Sequence, residues 1–143
     1  MPSCWCSSEI SSRIEERHAL IESALESLTS AGCSLDPFLD RLAIDEAIIN
    51  AIVHGNRSQA AKKVTVRAFA GKEVFGIEVA NEGEGFDWSG VVGRAKRRSG
   101  AALGSPGGRG IPLILQAGDD VSFLDGGKRI VISWKRGRTT AEE

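Results

Sequence analysis

Lys63-Val64-Thr65-Val66-Arg67-Ala68-Phe69-Ala70, then Gly71-Lys72, then Val74-Phe75-Gly76-Ile77-Glu78-Val79-Ala80: here apolar side chains recur at every second residue on either side of a short polar break. A period of two predicts strands with one face toward a core, and the glycine between them predicts an antiparallel hairpin. Directly after the second strand comes Asn81-Glu82-Gly83-Glu84-Gly85-Phe86-Asp87. Alternating glycines there let the backbone turn sharply or approach a flat ligand closely.

Upstream of the hairpin the period becomes helical. Ile14, His18, Leu20, Ile21, Ala24, Leu25 and Leu28 fall at three- and four-residue spacings between acidic residues, which predicts an amphipathic helix over 11–30, ended by Gly32. Asp36-Pro37 supplies a cap and a first-turn proline, and Phe38, Leu42, Ile44, Ala47, Ile48, Ala51 and Ile52 predict a second helix over 37–54, stopped by Gly55. Downstream, glycine-rich sequence runs from Gly83 to Gly110, and Ile111 to Gln116 begins a short apolar helix. Val121 and Phe123, the turn Asp125-Gly126-Gly127, and Ile130, Val131, Ile132 and Trp134 predict a second hairpin. The sum is an α+β two-layer sandwich with helices on one face of a mixed, mainly antiparallel sheet. Residues 1–10 read as an N-terminal arm, because Ser3 to Glu9 is a poor strand candidate, 11–136 as one domain and 137–143 as a tail.

At 143 residues, 41% hydrophobic and 26% charged, with 18 basic against 19 acidic side chains, the chain describes one globular domain that needs no metal or disulfide for stability. It contains nothing near the ~18–20 consecutive apolar residues of a membrane span, and no lipidation motif or basic amphipathic helix, so no membrane association is expected. The start Met1-Pro2-Ser3-Cys4-Trp5-Cys6 lacks the features of a secretory signal, and a cytoplasmic location is the expectation. Cys4 and Cys6 are too closely spaced for the usual zinc pair, and Cys33 reads as a small apolar filler near a helix end. The near-neutral net charge hides an asymmetry: residues 1–56 hold nine acids and three bases, residues 57–143 ten acids and fifteen bases. From Trp88 to Gly118 there are Arg94, Lys96, Arg97, Arg98 and Arg109 and no Asp or Glu, a setting that suits either an anionic ligand or plain solvent. With only Trp88 nearby to stack on a base, direct nucleic-acid binding is not expected.

Glu46, Asn50 and His54 stand at i, i+4 and i+8 of the second helix and so share one face. The plain reading is a solvated polar face; the chemical one is a carboxylate base beside an amide oxygen able to ligate a hard cation. Asn is a mediocre mid-helix residue, which weighs for the second. Further on, Gly104-Ser105-Pro106-Gly107-Gly108-Arg109-Gly110 opens a helix, where backbone amides form an anion site. It lacks the Gly-Lys-Ser/Thr of a P-loop and the parallel strands of a dinucleotide fingerprint.

In order, Glu46-x-x-x-Asn50-x-x-x-His54-Gly55, Asn81-x-Gly83-x-Gly85-Phe86 and Gly107-Gly108-Arg109-Gly110-Ile111 resemble the N, G1 and G2 boxes of the GHKL ATPase superfamily. Within it the chain looks like the anti-sigma-factor serine kinases, over roughly Ile14 to Lys135. The resemblance implies the Bergerat fold, with ATP held between helices and a glycine-rich lid at about 88–107. It implies Asn50 as the Mg²⁺ ligand, Glu46 as the base that takes the substrate serine proton, and Arg109 as a catalytic charge on the terminal phosphoryl group. Asn50, His54, Asn81, Gly83, Gly85, Gly107, Gly108 and Gly110 would contact ATP, Gly83 and Gly85 beside the adenine and Gly108 and Gly110 at the phosphates. The partners implied are a sigma factor, a STAS-domain anti-anti-sigma protein as phosphoacceptor, and a second copy of the chain in a homodimer.

One position departs from the pattern. The first residue of the G1 box is normally Asp, which accepts a hydrogen bond from the adenine amino group, and here it is Asn81. An amide keeps the accepting oxygen but can also flip to donate toward a keto oxygen, as on guanine. From sequence, Asn81→Asp is expected to tighten adenine nucleotide binding. The departure also admits a second function, a catalytically weak or nucleotide-independent regulatory binding module on the same fold. A third reading makes the domain the ATPase part of a larger sensor system.

Overall fold

The computed structural model describes residues 4–83 and 110–137. Five strands, β1 (Cys4–Ser11), β2 (Lys63–Ala70), β3 (Val74–Asn81), β4 (Asp120–Leu124) and β5 (Arg129–Lys135), form one sheet in the order β1-β2-β3-β5-β4. All four pairings are antiparallel. Three helices, α1 (Arg17–Ser30), α2 (Leu39–Asn50) and α3 (Gly110–Ala117), complete the α+β fold.

The alternation predicted for the first hairpin is present. Val64, Val66, Ala68 and Ala70 are buried, while Lys63 and Arg67 are exposed between them. On the helical side, Leu20, Ile21, Ala24 and Leu28 of α1 and Ala43, Ile44, Ala47 and Ile48 of α2 close over these strands in one continuous core. The second helix begins at Leu39 rather than at Pro37, and the Asp36 carboxylate accepts the backbone N–H groups of Phe38 and Leu39 at 2.8 Å each in the turn that leads into it.

Three further predicted boundaries shift. Cys4–Ser11 is not an arm but an edge strand, paired along its whole length with β2 from Cys4 opposite Ala70 to Ser11 opposite Lys63. The first helix starts at Arg17 rather than Ser11, after a 3-10 turn over Ile14–Glu16, because Ser11 still belongs to β1. The second helix stops being α-helical at Asn50: Ala51–Gly55 is wound as a π-helical turn, with the Asn56 N–H bonded to the Ala51 carbonyl at 2.8 Å.

Trp134 fixes α3 to the sheet. Its indole is fully buried, stacks on Phe75 of the neighbouring strand with centroids 5.7 Å apart, and donates its Nε1–H to the Ala117 carbonyl at 2.8 Å, at the end of α3. Arg136 does the same for α1, donating to the carbonyls of Gly71 and Ala31 at 2.6 and 3.1 Å. Trp134→Phe strands the buried Ala117 carbonyl and leaves a void, so it is expected to lower stability by about 2 kcal/mol with an unchanged denaturant slope in urea unfolding.

Candidate functional site

α2, α3, β3 and the β4–β5 hairpin line a small open cleft of about 20 Å³, room for about one water molecule. Ala47 and Ala51 supply one wall, Val79 and Ile130 the floor, and Ile111 and Phe123 the far side. Every one of those side chains is apolar. Asn50 is the exception: it lines the same cleft, is 6% exposed, and its Nδ2 is shut off from solvent with no hydrogen-bond partner. A buried amide donor left unpaired costs about 1–3 kcal/mol, a cost that a bound acceptor recovers.

The rest of the sequence-predicted stripe does not reach the cleft. Glu46 is half-buried one turn before Asn50 and is absent from the lining. His54 falls within the π-helical turn, whose wider winding carries it off the line that Glu46 and Asn50 share. It too is half-buried and outside the lining. Gly110 stands at the first position of α3, directly before the fully buried Ile111. Gly85, Gly107, Gly108, Arg109 and the lid expected at about 88–107 lie outside the described residues.

Asn81 ends β3 beyond the floor of the cleft. Its amide sits on Gly55, where a Cβ would come within 2.4 Å of Nδ2 and 2.8 Å of Oδ1. A side chain at position 55 would therefore displace the Asn81 amide. Gly83 is likewise crowded. A Cβ there would lie 1.9 Å from the Gly55 carbonyl oxygen, so two backbone segments cross at a distance that excludes any side chain.

Asn56, which the sequence reading did not single out, secures that crossing. It is 1% exposed; its Oδ1 accepts the Gly83 N–H at 2.6 Å, and its Nδ2 donates to Ser12 Oγ at 2.8 Å and to the Lys63 carbonyl at 3.0 Å. Ser12 Oγ in turn donates to the Lys62 carbonyl at 2.6 Å. One amide thus ties the end of the second helix to the glycine segment after β3 and to both edges of the sheet's first pairing. The only signal for it in the sequence is an Asn directly after a helix-ending glycine, which reads as an ordinary cap.

The cleft is thus apolar apart from one buried amide and lies between helices laid over an antiparallel sheet. Residues 10–134 match the family of histidine kinase-like ATPase domains, and the chain belongs to that family, within the GHKL superfamily. ATP binding is the property of such domains. No curated protein matches the chain. Among the described residues, no helix is long and apolar enough to cross a membrane.

Asn56→Ala removes one acceptor and two donated bonds inside the crossing. It is expected to cost about 3 kcal/mol in urea unfolding, whereas a change within about 0.5 kcal/mol, the range of an ordinary surface substitution, would mean that the crossing is held by something else.

Proposed function

We propose that the chain is an ATP-dependent anti-sigma-type protein-serine kinase, which transfers phosphate to a serine of a STAS-domain partner and holds a sigma factor when that partner is absent. The observation that carries the reading is the buried, unpartnered Asn50 amide in an otherwise apolar cleft. The order of the three boxes in the sequence and membership of the ATPase family support it. Location in the cytoplasm and action as a homodimer belong to the same reading.

Asn50 fits the cation that the family implies, since an amide offers one hard oxygen ligand and one donor on the same group. Asn50 Oδ1 would hold Mg²⁺, which would supply charge neutralisation at the phosphates. Asn50 Nδ2 remains to donate to a phosphate oxygen. Glu46, one turn earlier on α2, takes the serine hydroxyl proton as the serine oxygen forms its bond to the γ-phosphorus and the bond to the β-γ bridging oxygen breaks, so that ADP leaves. The resemblance gives Gly107, Gly108, Arg109 and Gly110 the task of cradling the phosphates, with Arg109 countering the charge of the transferring group. Ala47, Ala51, Val79 and Ile130 exclude water around the base.

The test is calorimetric titration with ATP in the presence and absence of Mg²⁺, joined to phosphate transfer onto a STAS-domain protein read by mass spectrometry. Magnesium-dependent micromolar ATP binding is expected. Glu46→Gln should keep that binding and lose transfer by about 100-fold or more. Asn50→Ala should weaken the Mg²⁺-nucleotide complex itself. If both variants match the parent protein in binding and transfer, the stripe is surface and the reading fails. Nucleotide binding without transfer by the parent protein would favour the regulatory binding module instead.

A further inference from the structure

Between α1 and the start of α2 runs an open groove of about 270 Å³, more than ten times the cleft beside Asn50 and sharing no lining residue with it. Ile21, Pro37, Phe38 and Leu42 give it an apolar lining. Ile21 is fully buried, whereas Phe38 is 76% exposed, so the groove has a core side chain at its base and an uncovered aromatic ring at its rim. Among the described residues nothing closes over that ring.

The charges beside the groove are not balanced. Its cations are already answered: Arg41 pairs with Glu22, and Arg17, next to the lining residue His18, holds the Asp45 carboxylate at 2.7 Å. Along α1, His18, Glu22 and Glu26 stand at i, i+4 and i+8 and so share one stripe, and all three are exposed. Glu15, in the 3-10 turn before α1, is exposed as well. Arg17 is the one arginine or lysine that α1 contains. The α1 bank of the groove is therefore a row of carboxylates with one cation, Arg41, set against it from α2.

We propose that the α1–α2 groove docks an amphipathic helix of a partner protein, one whose apolar stripe is flanked by lysine or arginine. A trough between two helices is the shape that a third helix fills. Phe38 to Asp45 covers about 10 Å of helix axis, two turns, which is the reach of apolar anchors at i, i+3, i+4 and i+7. Phe38 is the aromatic anchor that such a helix covers, and the carboxylates of Glu15, Glu22 and Glu26 select its basic flank. A second copy of the chain fits less well, since it would bring the same acidic bank against this one. The groove lies apart from the cleft, so the inference does not rest on the nucleotide reading.

Fluorescence anisotropy of two labelled helical peptides titrated with the full chain tests the proposal. Both carry leucine at i, i+3, i+4 and i+7; one has lysine on its polar face and the other glutamate. The lysine peptide is expected to bind on the order of tenfold or more tightly than the glutamate peptide, and Phe38→Ser to weaken it by about tenfold. Glu26→Lys should weaken it several-fold at low salt and less at high salt. Equal binding of the two peptides, binding of neither, or binding indifferent to Phe38→Ser overturns the docking site. A parent chain that self-associates in sedimentation and becomes monomeric in Phe38→Ser gives the groove to a second copy and overturns the foreign partner. Phe38 and Glu26 are both exposed, and should one variant fail to fold, the other and the contrast between the peptides still decide. A parent protein that binds no ATP sinks the nucleotide reading and leaves this one standing.

Discussion

The close passage of Gly83 over Gly55 is the constraint on which the candidate site depends. Two backbones brought that near have no room for a Cβ, and the polar groups they trap need partners of their own. The Asn56 amide answers the need with three hydrogen bonds, one of them to the Gly83 N–H. The end of the second helix, the segment after β3 and the beginning of β2 are thus held as one unit, and the cleft lies immediately beside it. Loosening any member alters the position of the others.

That unit explains why so few polar groups suffice in the cleft. Apolar side chains from two helices and three strands define a slot, and Asn50 is the one amide that lines it. Asn50 is deprived of water and of a protein partner for its donor. Asn81, beside the cleft, donates its Nδ2 to the Lys128 carbonyl.

Much of the fold was legible before any coordinates. The alternation of Val64 to Ala70, the capping Asp36, the helical spacing of Leu20 to Leu28 and the Asp125-Gly126-Gly127 turn are local signals, and each is matched by the structure. β1 was not legible, because Cys-Trp-Cys-Ser-Ser-Glu-Ile-Ser carries three serines and no clear alternation; its strand character comes from pairing with β2, a partner more than fifty residues away. The π-helical turn escaped for a related reason. Nothing in Ala51 to Gly55 distinguishes it from α-helix, and only the crossing with Gly83 gives the wider turn a purpose. Of the residues that the spacing and the glycine pattern single out, Asn50 lines the cleft, while Gly83 and Asn81 pack on Gly55 beside it. Asn56 escaped because its three partners lie on segments far apart in the chain.

Glu78 sits in the middle of β3, on the face of the sheet away from the helices, and is 8% exposed between Arg67 and Arg129, with carboxylate oxygens 3.7 and 3.1 Å from their guanidinium groups. Ile77 and Val79 on either side of it point into the core. Were β3 to pair one residue out of step, the carboxylate would be driven beneath the helices without its two arginines, while both apolar neighbours would turn toward water. A single charge thus acts as the ratchet pawl of the sheet, admitting one alignment of the central strand and, through it, one position for the asparagine at that strand's end.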